Sequence, residues 1–209
     1  MNNYKKNLDL LTKNHVYSNE MEHDACGVGL IASTEGKKSR DVVKFGIEAL
    51  KAVWHRGAVD ADGKTGDGAG IHLEIPKDFF IEKIEVTGHS HDNSEICVGM
   101  IFLPRNDYAS QETCKTIVES ELTKNNFSIY GWRQVPVNPK VLGQKAFQTM
   151  PEIIQVLFKS NDPNIINKDL ERKIYETRKI IENKASSLSL NNFYICSISS
   201  KSIIYKGMF

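Results

Sequence analysis

Apolar residues in this chain change their spacing from one segment to the next, and that order constrains the fold more than any single residue does. Val43, Ile47, Leu50 and Trp54 fall three or four apart behind Ser39, whose hydroxyl can cap a helix. Cys114, Ile117, Val118 and Leu122 repeat the pattern in a helix expected from about Ser110 to Lys124. Leu170, Ile174 and Ile181 do so in a long charged helix that ends near Ser186 and Ser187. Between these stand apolar and β-branched runs that read as strands, at residues 71–75 (closed by Pro76), 95–103, 127–137, 153–158, 193–198 and 202–206. The run at 95–103 is apolar enough to be covered on both faces. A short helix is expected over 78–84, a polar turn over 87–94, and a loop-rich passage around Pro136, Pro139 and Gly143. Strands and helices alternate, yet several successive strands can pair as hairpins. The expected class is therefore α+β, not a doubly wound parallel sheet.

One more apolar run, Val28, Leu30 and Ile31, follows Cys26-Gly27 and predicts a strand over residues 28–32 that starts at a cysteine. Gly27 leaves the surroundings of that thiol open, because a side chain there would crowd whatever approaches the sulfur. If the Ala25–Cys26 bond were cut, one residue would carry a thiol nucleophile and a free α-amine to act as its base. The reference pKa of such an amine is about 8, close to that of a free thiol, so proton exchange between them is nearly isoenergetic near neutral pH. By burial statistics alone a cysteine is more often a small core hydrophobe than a nucleophile. The glycines around Cys26, the polar leader before it and His55-Arg56-Gly57 after it reverse that preference. Cys97, Cys114 and Cys196 each lie in an apolar stretch and read as buried hydrophobes. The four cysteines are widely separated and include no CxxC pair, the wrong spacing for zinc or an iron–sulfur cluster.

The chain's 209 residues suffice for one domain with a real core, and 40% hydrophobic against 25% charged residues is ordinary for a globular protein. Its 27 basic and 26 acidic residues leave a net charge of +1, which gives no electrostatic ground for a nucleic-acid or anionic-membrane partner. Residues 1–25 are polar and mixed in charge, without the apolar centre of a secretory signal. No secretion signal also means no expectation of disulfides. Domain boundaries are set at 1–25 for a leader or propeptide and 26–209 for the folded unit.

Several motifs carry two readings. His55-Arg56 at a helix end can simply complement the helix dipole, with Gly57 ending the helix in a left-handed conformation. The run from Thr65 to Gly70 lacks GxGxxG spacing, so it does not point to a dinucleotide; the plain reading is a tight turn into the strand at Ile71. Asp60-Ala61-Asp62-Gly63-Lys64 starts like a calcium loop but has Thr65 at the turn glycine and Ile71 at the bidentate glutamate. His89 and His91 lie in a polar turn and are expected to face solvent, His72 to sit in a strand, and the six histidines are too scattered for a metal site.

Four segments, HDACGVGLIA (23–32), GIEALKAVWHRGAVDAD (46–62), TGDGAGIHLEIP (65–76) and FYICSISSKSIIYKGMF (193–209), together resemble the class II glutamine amidotransferase domain of glutamate synthase large subunits. Their order and spacing make the resemblance specific, and it covers the chain from about residue 20 onward. It implies a four-layer αββα sandwich of the N-terminal-nucleophile hydrolase type, incomplete at its C-terminus. It implies Cys26 as the catalytic residue, with Gly27, Arg56, Asp67 and Gly68 binding substrate or supporting the site. The glutamine amide would be attacked by the thiol and ammonia passed on to reductive glutamate synthesis. The resemblance implies no cofactor in this segment, but FMN and an iron–sulfur cluster in the complete subunit. Its partners would be the remaining domains, a small reductase subunit and glutamine, in the cytoplasm. In the family an Asn-Gly pair and an arginine from later segments complete the site; neither has a counterpart here, so the chain is expected to be an inactive front portion of the domain. Another class II amidotransferase, or a non-catalytic remnant that binds a partner domain, remain as alternatives.

Overall fold

The computed structural model of the chain describes residues 2–14, 27–53, 57–92 and 94–208. In chain order these form α1 (Asn2–Asn14), α2 (Arg40–Ala52), β1 (Gly68–Glu74), α3 (Lys77–Val86), β2 (Cys97–Leu103), α4 (Tyr108–Lys124), β3 (Phe127–Gln134), α5 (Gln144–Thr149), β4 (Glu152–Ser160), α6 (Asn167–Ser187), β5 (Tyr194–Ser199) and β6 (Ser202–Met208). The class is α+β with two antiparallel sheets, one in the order β3-β4-β2-β5 and one made of β1 and β6. No helix among the described residues is long and apolar enough to cross a membrane.

The four-stranded sheet is built around β2, whose residues are buried on both faces because it lies between β4 and β5 and under two layers. On one face lie α4 and α6. Leu170, Ile174, Thr177, Ile181 and Ala185 make a continuous buried stripe along α6, and Cys114, Ile117, Val118 and Leu122 its counterpart on α4. Both pack on a core centred on Phe127 and Phe158, whose rings meet edge to face at 5.3 Å. Glu121, buried on α4, accepts hydrogen bonds from Lys184 of α6 at 2.5 Å and from Lys124 at 3.0 Å. The Lys184 bond, more than any other contact, holds its carboxyl below the usual range.

The opposite face carries a second core, with Phe80 and Ile84 of α3, Val98 and Met100 of β2, and Ile203 of β6. Buried Gln155 ties the layers together, accepting from Arg133 at 2.8 Å and donating to the Tyr205 hydroxyl at 3.2 Å. The last two strands are consecutive but do not pair with each other: the chain crosses from one sheet to the other at Ser200-Lys201. Glu171 of α6 holds this crossing, accepting from the Ser199 hydroxyl (2.9 Å), the Ser200 amide (2.7 Å) and the Ser200 hydroxyl (2.7 Å). Glu171→Ala would leave these buried donors without their acceptor. We expect it to lower unfolding free energy by about 1–3 kcal/mol, read as an earlier midpoint in urea.

Four expectations are corrected. Residues 27–33 form no strand, and Val28 is 92% and Leu30 89% exposed. An apolar run favours extension, but a strand exists only where an edge supplies hydrogen bonds, and β1 is paired to β6 alone. Helix α2 starts as expected, with the Ser39 hydroxyl accepting from the Asp41 amide at 3.1 Å, but it ends at Ala52 with Val53 as its cap. Residues 54–56 lie outside the described residues, so the expectation for Gly57 does too; from Val59, bridged to Gly66, the chain is already in its next turn. His91 is half-buried, not solvent-facing, with its Nε2 at 3.0 Å from the Ser94 carbonyl oxygen. The strand expected over 127–137 stops at Gln134, just before Pro136, which has no N–H to give a ladder.

Candidate active site

Residues 57–67 fold back on themselves. The Ala58 amide donates to the Asp67 carboxylate at 2.8 Å, and the Asp67 amide donates to the Ala58 carbonyl at 3.2 Å. Val59 bridges Gly66, and the Asp60 amide donates to the Thr65 carbonyl at 2.7 Å. This small hairpin therefore runs from Gly57, next to Arg56 in sequence, to Gly68, the first residue of β1. Its base is closed by one side chain, Asp67.

Its tip is docked on α5. The Asp62 carboxylate accepts from the Thr65 amide (2.7 Å), the Lys64 amide (2.9 Å) and the Thr65 hydroxyl (2.6 Å), and on its far side from the Lys145 amide (3.4 Å). These bonds, that of the Thr65 hydroxyl foremost, hold the Asp62 carboxyl far below its usual pKa. The Ala146 amide donates to the Thr65 hydroxyl at 3.4 Å, and Lys145 Nζ reaches Asp60 at 2.5 Å. The Lys145 contact lowers the Asp60 pKa, and Asp60 in turn raises that of Lys145. Gly143, which precedes α5, has no side chain to cap it; a Cβ there would overlap the Thr65 amide and hydroxyl. The first turn of α5 thus takes its acceptors from residues some eighty positions earlier.

A groove of about 1450 Å³ opens between residues 27–31, α2 and β1, lined by Gly27, Leu30, Ile47, Val53, Ile71 and His72 among others. Gly27 sits against the end of α2, where a Cβ would come within 2.9 Å of Val53 Cβ. A smaller hollow of about 700 Å³ beside His89, Tyr130 and Lys159 lies elsewhere, and its lysine is already paired with Asp92. The groove at Gly27 is the candidate site because Gly27, which lines it, follows the cysteine singled out by sequence.

Of the five site residues expected from sequence, Cys26 and Arg56 lie outside the described residues, as do Trp54 and His55. Gly27 lines the groove, while Asp67 and Gly68 stand at the base of the hairpin and do not line it. Cys97, Cys114 and Cys196 are all buried. Burial raises each thiol's pKa, that of Cys114 to about 11. No group of three or more His, Cys, Asp or Glu side chains that would hold a metal ion occurs among the described residues. The docking of Asp62, Thr65 and Lys145 on α5 was not legible beforehand, since no local pattern links residues that far apart.

The family model of the class-II glutamine amidotransferases matches residues 26–209. The NADPH glutamate synthase large chain of Azospirillum brasilense is 50% identical over 206 residues, which cover 99% of this chain and 14% of that one. Ferredoxin-dependent glutamate synthase 1 of Arabidopsis thaliana is 41% identical over 189 residues, 90% of this chain and 12% of the relative. The corresponding protein of Pyropia yezoensis is 37% identical over 206 residues, 95% of this chain and 13% of the relative. The chain thus spans about one-eighth of the length of these relatives.

Proposed function

Because the chain belongs to the class-II glutamine amidotransferases, we propose that, as part of a complete glutamate synthase, it contributes Cys26 as the nucleophile that hydrolyses the side-chain amide of glutamine and releases ammonia. The observation that carries this reading is the family match, which begins at Cys26, while the other three cysteines are buried. The Cys26 sulfur gives up its proton to its own α-amine and attacks the carboxamide carbon. The C–N bond breaks as the proton passes from the ammonium to the leaving nitrogen, giving ammonia and a γ-glutamyl thioester. Water then adds to the thioester, the C–S bond breaks, and glutamate leaves with the thiol restored.

We further propose that Gly27, Arg56, Asp67 and Gly68 support the site. In this reading Asp67 fixes the backbone just after Arg56, whose guanidinium suits a carboxylate by its paired N–H donors. The order of layers, α4 and α6, the four-stranded sheet, the β1–β6 sheet and then α2 beside β1, supports an αββα sandwich of the N-terminal-nucleophile kind. FMN and an iron–sulfur cluster would belong to other parts of a complete subunit. The three buried, separate cysteines among the described residues do not fit a cluster. The freed ammonia would serve reductive synthesis there, with a small reductase subunit supplying electrons.

Hydroxylamine tests this directly. Added with glutamine to the full-length protein, it should divert the thioester to γ-glutamyl hydroxamate at the expense of glutamate. Glutamate release with no hydroxamate at any hydroxylamine concentration would rule out the covalent intermediate.

A further inference from the structure

We infer that Asp62, Thr65 and Gly143 form a clamp that positions the Gly57–Ala58 backbone for amide hydrolysis, an inference that rests on the assignment of Cys26 and Arg56 to the active site. The hairpin has two anchors. At its base, Asp67 holds both polar groups of Ala58. At its tip, Asp62 and Thr65 receive the Lys145 and Ala146 amides at the start of α5, and Lys145 reaches back to Asp60. Between the anchors the two arms are cross-bonded, so a displacement of the tip is carried to the base.

Thr65 is only 2% exposed, and its single hydroxyl both donates to Asp62 and accepts from Ala146. No apolar residue of the same shape can do either. Gly143 lies so close that any side chain would push the hairpin off α5. Since α5 leads directly into β4, the clamp sets the hairpin against the central sheet and not merely against a loop. What it fixes is the backbone at Gly57 and Ala58, next to Arg56 in sequence. Asp62, Thr65 and Gly143 are therefore positioning residues: they touch the hairpin and α5 and act on the reaction through the backbone.

The test uses the full-length enzyme and three variants, Thr65→Val, Thr65→Ser and Gly143→Ala. Each is assayed for glutamine kcat/KM, for thermal unfolding, and for the rates at which Cys26 is alkylated by a glutamine-shaped diazoketone and by iodoacetamide. Thr65→Val and Gly143→Ala should lose roughly 10- to 100-fold in kcat/KM, in step with the diazoketone rate, because misplacement of a supporting group acts on the oriented complex. Iodoacetamide needs no oriented site, so its rate should stay within about twofold, and Thr65→Ser, which keeps the hydroxyl, should recover most of the activity. Turnover within about twofold of the parent in both Thr65→Val and Gly143→Ala would overturn the inference. So would a parallel fall of both labelling rates with the unfolding temperature, which would make the clamp structural only. If Gly143→Ala does not fold, Thr65→Val and Thr65→Ser decide alone. A parent enzyme that neither releases glutamate nor takes the diazoketone removes the functional reading, and this inference with it. That failure is told apart from loss confined to the variants.

Discussion

Replacing Cys26 with alanine in the full-length enzyme is expected to lower glutamine-dependent glutamate formation by about 10⁴-fold or more, while formation from added ammonia stays close to the parent. The size follows from what the thiol does. In the proposed reaction it is the sulfur that takes the carbonyl carbon from nitrogen, and nothing else in a truncated side chain can form the thioester. What remains is attack by unassisted water on a bound amide. Ammonia-dependent synthesis bypasses that step, because in the proposed enzyme the reductive chemistry occurs in another part of the subunit. The two activities are read in parallel with glutamine or an ammonium salt as the only nitrogen source. Equal loss of both would mean that Cys26 holds the structure together and does not act as the nucleophile.

The second large effect concerns residues 1–25. Active protein is expected to begin at Cys26, and intact mass should show the loss of everything from Met1 to Ala25. In the uncut chain the nitrogen of Cys26 is part of an amide, which cannot accept the thiol proton. Protein that keeps the leader should therefore run about 10²–10⁴-fold slower with glutamine, the usual contribution of a positioned base. Residues 2–14 form a helix, so a folded leader is no obstacle to the measurement: the mass separates the two species whatever their shape. Full glutaminase activity in a chain of undiminished mass would exclude the α-amine as the base.

The parts of the fold that were legible in the sequence are those whose signal is local. The buried stripes of α4 and α6 follow from residues three and four apart, and the Ser39 cap from a hydroxyl two residues from the amide it receives. Residues 95–103 read as a doubly covered strand, and β2 is indeed buried on both faces, with one core on each side of the sheet. The reading failed where a partner lies far off in sequence. Val28, Leu30 and Ile31 have the composition of a strand, but composition supplies no edge, and they stand exposed. α5 carries no apolar repeat, with only Ala146 buried, and its start is held by Asp62 and Thr65 from some eighty residues earlier in the chain. At the site, spacing alone argues against a calcium loop at Asp62, but it does not reveal that the oxygens of Asp62 accept from Lys64, Thr65 and the distant Lys145.

The pairing of β1 with β6 also sets the order in which a newly made chain can finish. Gly68 bonds opposite Met208, and Glu74 opposite Ser202. Strands β2, β3 and β4 with helix α4 form from neighbouring stretches and can assemble as they leave the ribosome. Strand β1 emerges before all of them yet has no edge to join until β6 appears, and closing so long a loop is among the slower steps a chain faces. The strand that leads out of the Asp67 hairpin is therefore secured only once β6 has emerged. Until β6 has been made, the Asp67 hairpin leads into a strand with no hydrogen-bonded neighbour.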